Sequence, residues 1–185
     1  MKKLVSFVAA TVLANATIAL AEEGADNDAL IAEALSAAPA FITDDATVHN
    51  WQHQTLREGS NGWVCLPTMP ALAEAGKNCP MCVDATWHGF FVDLLAGAEK
   101  PTITVMGMSY MIAGDCGVSN IDPAATEPTD DNQWIVEGPH LMVLFPDNSI
   151  LDDYSDDPFA DGPYVMWNET PWEHLMIPLG GREEE

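Results

Sequence analysis

From Trp87 onward, apolar residues return at i+3, i+4, i+7 and i+8, through Phe90, Phe91 and Leu94 to Leu95. That spacing predicts an amphipathic helix with one aromatic stripe. Asp84 stands where an N-cap belongs, since its carboxylate can accept from a first-turn amide and meets the positive end of the dipole. Gly97 is a plausible stop and Pro101 lies beyond the end. A stripe with one Trp and two Phe needs a covering layer, so this helix is expected at the centre of the core. A second helix is predicted over 28–37, with Leu30, Ile31, Ala34 and Leu35 on one face and Pro39 as terminator.

The rest of the pattern is β-like. Ala46 to Trp51 and Gln54 to Glu58 have strand composition, and Gly59-Ser60-Asn61-Gly62 is a turn that returns the chain into Trp63 to Leu66. In Thr102 to Ile112, Ile103 and Val105 alternate with one parity, and Met108, Tyr110 and Ile112 with the other, which suggests a bulge at Gly107. Three short apolar runs follow, His140 to Phe145, Tyr164 to Trp167 and Glu173 to Ile177. The first lacks polar alternation, as a central strand buried on both faces would. The runs open alike, with Gly138-Pro139-His140-Leu141-Met142, Gly162-Pro163-Tyr164-Val165-Met166 and His174-Leu175-Met176. Their unequal spacing reads as similar strand entries and excludes a solenoid. Together these elements predict one α+β domain, a mainly antiparallel sheet of about five to seven strands with one face covered by one or two packed helices. Residues 22–28 and 180–185 are expected to be disordered.

The N-terminus changes where this domain is placed. Met1-Lys2-Lys3, the apolar Leu4 to Leu20 and the Ala19-Leu20-Ala21 signal have the form of a secretory leader over residues 1–21, giving a periplasmic or secreted chain from Glu22. Loss of Lys2 and Lys3 takes the formal charge from −23 to −25. Such a surface repels nucleic acid and anionic lipid, so neither nucleic acid nor a membrane is an expected partner. It suits either simple hydration or a cationic partner.

Export makes Cys65, Cys79, Cys82 and Cys116 a disulfide framework by default. Of the three pairings, we take Cys65 with Cys82 and Cys79 with Cys116, the first tying a strand to the start of the central helix. Cys79-x-x-Cys82 also admits metal or dithiol exchange, but it follows no thioredoxin-like strand and no second such pair exists for zinc.

Candidate chemistry is sparse. His49 and His53 are four apart, yet strand-like neighbours argue against a helical metal pair, and His88 flanks the aromatic stripe. His140 and His174 each precede Leu-Met at a strand entry, so they could converge at one sheet end. Met106, Met108, Met111, Met142, Met166 and Met176 resemble a Cu(I) donor set, although methionine is first an adaptable core residue. Gly107-Met108-Ser109-Tyr110-Met111 lacks the final Gly of a nucleophile elbow. The five Asp of residues 152–161 lack EF-hand spacing. Within the long aperiodic segment Ala113 to Gln133, Asn120, Asp122 and Glu127 offer a polar wall beside Cys116.

These segments carry a resemblance. Asn61-Gly62-Trp63-Val64-Cys65-Leu66-Pro67, Pro80-Met81-Cys82, Asn120-Ile121-Asp122-Pro123 and Ala125-Thr126-Glu127-Pro128 are similar to an uncharacterised family of exported bacterial proteins. Gly138 to Met142, Val165-Met166-Trp167 and Pro171-Trp172-Glu173-His174 extend the similarity over about residues 31–177. The resemblance implies export and fits a Cys65 to Cys82 bridge. Cys79 and Cys116 depart from the family's pattern, which fits a second bridge and leaves the pairing open. It implies no activity and no cofactor.

The functional expectation is a binding domain for a small ligand or cationic partner, with His140, His174, Asn120, Asp122 and Glu127 at the site. No cofactor motif is present. Two alternatives stand beside it. One is a hydrolase-like enzyme with His174 or His140 as general base and Glu173 or Asp122 as orienter. The other is a Cu or Zn binder, or an acidic inhibitor or buffer of a cationic protein.

Overall fold

The computed structural model describes residues 26–181, so the leader expected over residues 1–21 and the Arg182 to Glu185 tail lie outside the described residues. The chain runs from helix α1 (26–35) and the short α2 (Ala40–Thr43) into β1 (Thr47–His49), β2 (Thr55–Arg57) and β3 (Val64–Leu66). Next come α3 (Pro70–Glu74), β4 (Met81–Val83), the central helix α4 (Ala85–Leu95) and β5 (Gly107–Met111). β6 (Val118–Ser119) pairs with β7 (Trp134–Ile135) in a separate two-stranded ribbon. β8 (His140–Leu144), a 3-10 helix (Asn148–Asp153), β9 (Tyr164–Met166) and β10 (His174–Pro178) complete the order.

The main sheet has eight strands in the order β2-β1-β3-β4-β5-β8-β10-β9, antiparallel throughout except where β1 meets β3. It is the expected α+β architecture with a wider sheet. The extra strand is β4, whose three residues follow Pro80 and include Cys82, too short to show a period. β8 occupies the central position expected of it, between β5 and β10. The three similar strand entries also hold, since β8, β9 and β10 start at His140, Tyr164 and His174.

Both faces of the sheet are covered, where cover of one was expected. On one face Val83, Met111, Met142, Leu144 and Met176 pack with Trp87 and Phe90 of α4. On the other, Cys65, Cys82 and Tyr110 pack with Ala34, Ala37 and Ile42 from α1, α2 and their link, while Val143, Val165 and Leu175 meet Leu151 of the 3-10 helix. The alternation of strand side chains produces the two layers. The described residues open in α1, so residues 26–28 are helical where disorder was expected.

Gly107 is not a bulge. It is the first residue of β5, and regular pairing runs from Gly107 opposite Leu144 to Met111 opposite His140. A Cβ at Gly107 would come within 2.9 Å of Thr86 Cβ and Cγ2, so this glycine lets the start of α4 lie directly on the sheet. Ile103 and Val105, expected in the same strand, precede it in irregular chain. The stop at Gly97 is as expected, with a left-handed φ of 70°.

Asp84 fastens α4 down with both carboxylate oxygens. Oδ1 accepts from the Trp87 amide at 2.9 Å as the N-cap, and Oδ2 accepts from the Met108 amide of β5 at 2.7 Å. The Trp87 indole N–H then reaches across to the Met142 carbonyl of β8 at 3.1 Å. Two disulfides, Cys65–Cys82 and Cys79–Cys116, span 17 and 37 residues. By loop closure they would contribute about 3 and about 4 kcal/mol.

Asp84→Ala removes a cap and leaves a strand amide without its acceptor. We expect a loss of about 2 to 3 kcal/mol in urea unfolding. Asp84→Asn, which keeps only one acceptor, should fall between the variant and the wild type.

Candidate functional site

The pairing of β8 with β10 builds an array that neither strand shows alone. Met142 lies opposite Met176, and His140 lies opposite Pro178. Each strand therefore presents His-x-Met to the α4 side, the two running in opposite directions about the central Met pair. The outer neighbours extend the pattern, with Met111 of β5 opposite His140 and Met166 of β9 opposite His174. Two imidazoles and four thioethers thus share one face of four adjacent strands.

A cavity of about 230 Å³ lies over this array. His140, His174 and all four of these methionines line it, with Trp87 and Phe91 of α4 above. Its wall is almost wholly apolar. Met69, which also lines it, is 42% exposed, so the cavity reaches solvent beside α3. The Cys79–Cys116 bridge forms another part of the wall and ties the approach to β4 to the loop after β5.

His140 and His174 do not meet at one sheet end, because antiparallel pairing puts the two strand entries at opposite ends. They stand four positions apart along the ladder. Both are fully buried, and both are near enough for a charge on His140 to disfavour one on His174.

Their hydrogen bonds fix their chemistry. His140 Nδ1 lies 2.7 Å from the Gly138 carbonyl, and His174 Nδ1 lies 3.1 Å from the Trp172 carbonyl. A carbonyl only accepts, so each Nδ1 carries the proton. Burial pushes both imidazoles down, His174 to about 4, and keeps them neutral at pH 7. Each Nε2 is then a bare lone pair, and neither has a hydrogen-bond partner.

Aromatic rings hold His174 in place. Trp167 and Trp87 meet it edge-on at ring-centroid distances of 4.9 and 5.1 Å, with Phe90 at 6.1 Å. Trp167 reaches it from a left-handed backbone, φ 58°, a costly conformation for a bulky residue. Its indole N–H donates to the Ser119 carbonyl and its amide to the Asn120 carbonyl, which hold that conformation.

Beside His140, a second buried polar group closes the loop. Asp115 Oδ1 accepts from the Gly117 and Glu137 amides at 2.9 and 3.0 Å, and burial raises its carboxyl to about 6. The Tyr164 hydroxyl donates to Glu137 Oε2 at 3.0 Å. Asp115 and Cys116 also border a separate polar cavity of about 470 Å³ that includes Lys77 and Glu137.

The other sequence-predicted site residues lie elsewhere. Asn120 is buried, donates to Gln133 and to the Asp156 carbonyl, and lines a different pocket with Asp157 and Asn168. Asp122 and Glu127 are exposed. Asp122 accepts from the Ala124 amide in an Asx turn, and Glu127 contributes only its carbonyl, to Asn132. Glu173, the proposed orienter, faces away from His174 and accepts from Asn148 at 2.9 Å. His49 packs against His88 at 6.1 Å, and burial together with the charges of His49 and His53 pushes His88 down. Among the described residues, no three His, Cys, Asp or Glu side chains are grouped to hold a metal ion.

No family model, characterised protein or solved structure matches this chain. The site is therefore read from its own geometry. Trp167, Asp115 and Glu137 were not among the residues expected at the site. Trp167 stood out only as the end of an apolar run and within a segment similar to the exported family, and nothing local signals its positive φ.

The buried imidazoles make stability acid-sensitive. Between the ordinary 6.5 and about 4, the unfolded chain binds a proton at His174 that the folded chain refuses. This contribution is complete above about pH 6.5 and is lost as pH falls toward 4. Asp115 works in the opposite sense, since the folded chain keeps its proton up to about 6 and that contribution fades as pH rises through 3.8 to 6. His174→Phe, an aromatic ring in the same cage, should flatten the loss in urea stability between pH 7 and pH 5 by roughly 2 kcal/mol.

Proposed function

We propose that this chain is an exported, disulfide-stabilised binding domain that takes a small ligand into the cavity beneath α4. The observation that carries the reading is the pair of buried, neutral imidazoles, each with an unpartnered Nε2, lining a mainly apolar space that Asp115 also borders. A bare buried acceptor costs about 1–3 kcal/mol, and a ligand that satisfies it recovers that cost. Export rests on the form of residues 1–21. Two disulfides are compatible with it, as is the absence among the described residues of a helix long and apolar enough to cross a membrane.

The wall supports binding over hydrolysis. Among the described residues, no Ser, Thr, Lys or free thiol lines the cavity, and both imidazoles give their Nδ1 proton to a carbonyl and not to a carboxylate. At a pKa of about 4, His174 is also a weak base at neutral pH. Asp115 is occupied as a clamp on two amides.

Native mass spectrometry of the protein recovered from the periplasm of an expression host, without reductant or chelator, tests this. The oxidised chain should carry a non-covalent adduct small enough for the cavity. The His140→Phe, His174→Phe double variant, with both disulfides intact, should lose it by about tenfold or more. An adduct-free wild type, or an adduct retained unchanged in the variant, contradicts the reading.

A further inference from the structure

The array over which the cavity lies has a specific chemistry. Resting on the cavity as the ligand site, we infer that its ligand is a soft monovalent metal ion, Cu(I), held by an imidazole Nε2 of His140 or His174 with the thioethers of Met142 and Met176.

Three features converge on that ion. The first is the donor set. Thioethers are weak ligands for Zn²⁺ or hard cations and strong ones for Cu(I), and imidazole suits Cu(I) as well. Zinc would call for three or four His, Cys or carboxylate ligands, and no such group exists among the described residues. The four cysteines are all bridged, so no thiolate competes for the ion.

The second is the state of the imidazoles. A metal-binding histidine usually donates its remote N–H to a carbonyl or carboxylate, which fixes the tautomer and aims the other nitrogen at the metal. His140 and His174 both do this, toward Gly138 and Trp172, and both leave Nε2 without a partner.

The third is the placement of sulfur. Met142 and Met176 are cross-strand partners, each two residues beyond its own histidine on the same face. Side chains two apart on a strand lie side by side, and unbranched methionine can swing its sulfur over a wide arc. An apolar filler role alone would be served equally by leucine and would leave the lone pairs unexplained. Trp87, Phe91 and Trp167 make the surroundings of the array apolar, which favours a low-charge ion over Cu²⁺ or Zn²⁺.

The test is anaerobic titration of the disulfide-intact protein with Cu(I) against bicinchoninate, with Ag(I) as a redox-inert surrogate. X-ray absorption at the copper edge then identifies the scattering atoms. Wild type should strip Cu(I) from the chelator and show nitrogen and sulfur together. Met142→Leu with Met176→Leu conserves volume, so the fold and cavity persist. That variant should bind Cu(I) at least about tenfold more weakly, and the His140→Phe, His174→Phe variant at least about 100-fold. Cu(I) left on the chelator, or binding that survives both pairs of substitutions, overturns the inference. If Cu(I) fails while an organic adduct is seen and is lost in the histidine variant, the cavity remains the ligand site and only the metal is wrong. If both fail, the cavity reading fails with it.

Discussion

The register of β10 against β8 is the constraint on which the site depends. With Met142 opposite Met176, His140, His174 and both methionines fall on the α4 side of the sheet, while Val143, Leu175 and Val165 fall on the other. A slip of β10 by one residue would turn His174 and Met176 toward the 3-10 helix and Leu175 toward α4, and the array would be lost. That register is held from both flanks. β5 pairs with all five residues of β8, and β9 pairs with the first three of β10.

Over that array the chain builds a lid, and the lid is what gives the imidazoles their unusual state. Asp84 joins the first turn of α4 to β5, Gly107 allows the close approach, and the Trp87 indole bonds to the backbone of β8. The resulting low dielectric keeps two histidines neutral and leaves two acceptors without donors. Two such acceptors, with Trp167 in a left-handed conformation beside them, amount to several kcal/mol of local cost. The disulfides and the wide sheet offset that cost without removing it. Two bare acceptors and a left-handed Trp167 beside one cavity are locally unfavourable features of the kind a binding site uses.

Much of the fold was legible because its signals are local. The stripe from Trp87 to Leu95, the Asp84 cap, the Gly97 stop and the three strand entries each declare themselves within a few residues. Both cysteine pairs follow the expected pairing as well. What escaped was short or long-range. β4 is too brief to show alternation, and α3 lies in what reads as a loop. Gly107 imitates a bulge by composition while its real role is contact with Thr86. The histidines show the limit most clearly. His-Leu-Met occurs twice in the sequence, but only antiparallel pairing sets the two copies end to end around a methionine pair. Asn120, Asp122 and Glu127 drew attention as polar groups in a long loop, yet two of them serve the loop's own turns.

His140 and His174 are neutral at pH 7, with the proton on Nδ1 and a buried Nε2 that has no partner. Long-range proton–nitrogen NMR correlation of the histidine rings in ¹⁵N-labelled, metal-free protein reads this state directly. Both rings should appear as the Nδ1–H tautomer, with His174 unchanged as pH is lowered from 7 to 5 and at least one of the two Nε2 resonances moving on addition of Ag(I). Rings that carry the proton on Nε2, or that titrate near the ordinary 6.5, would contradict it.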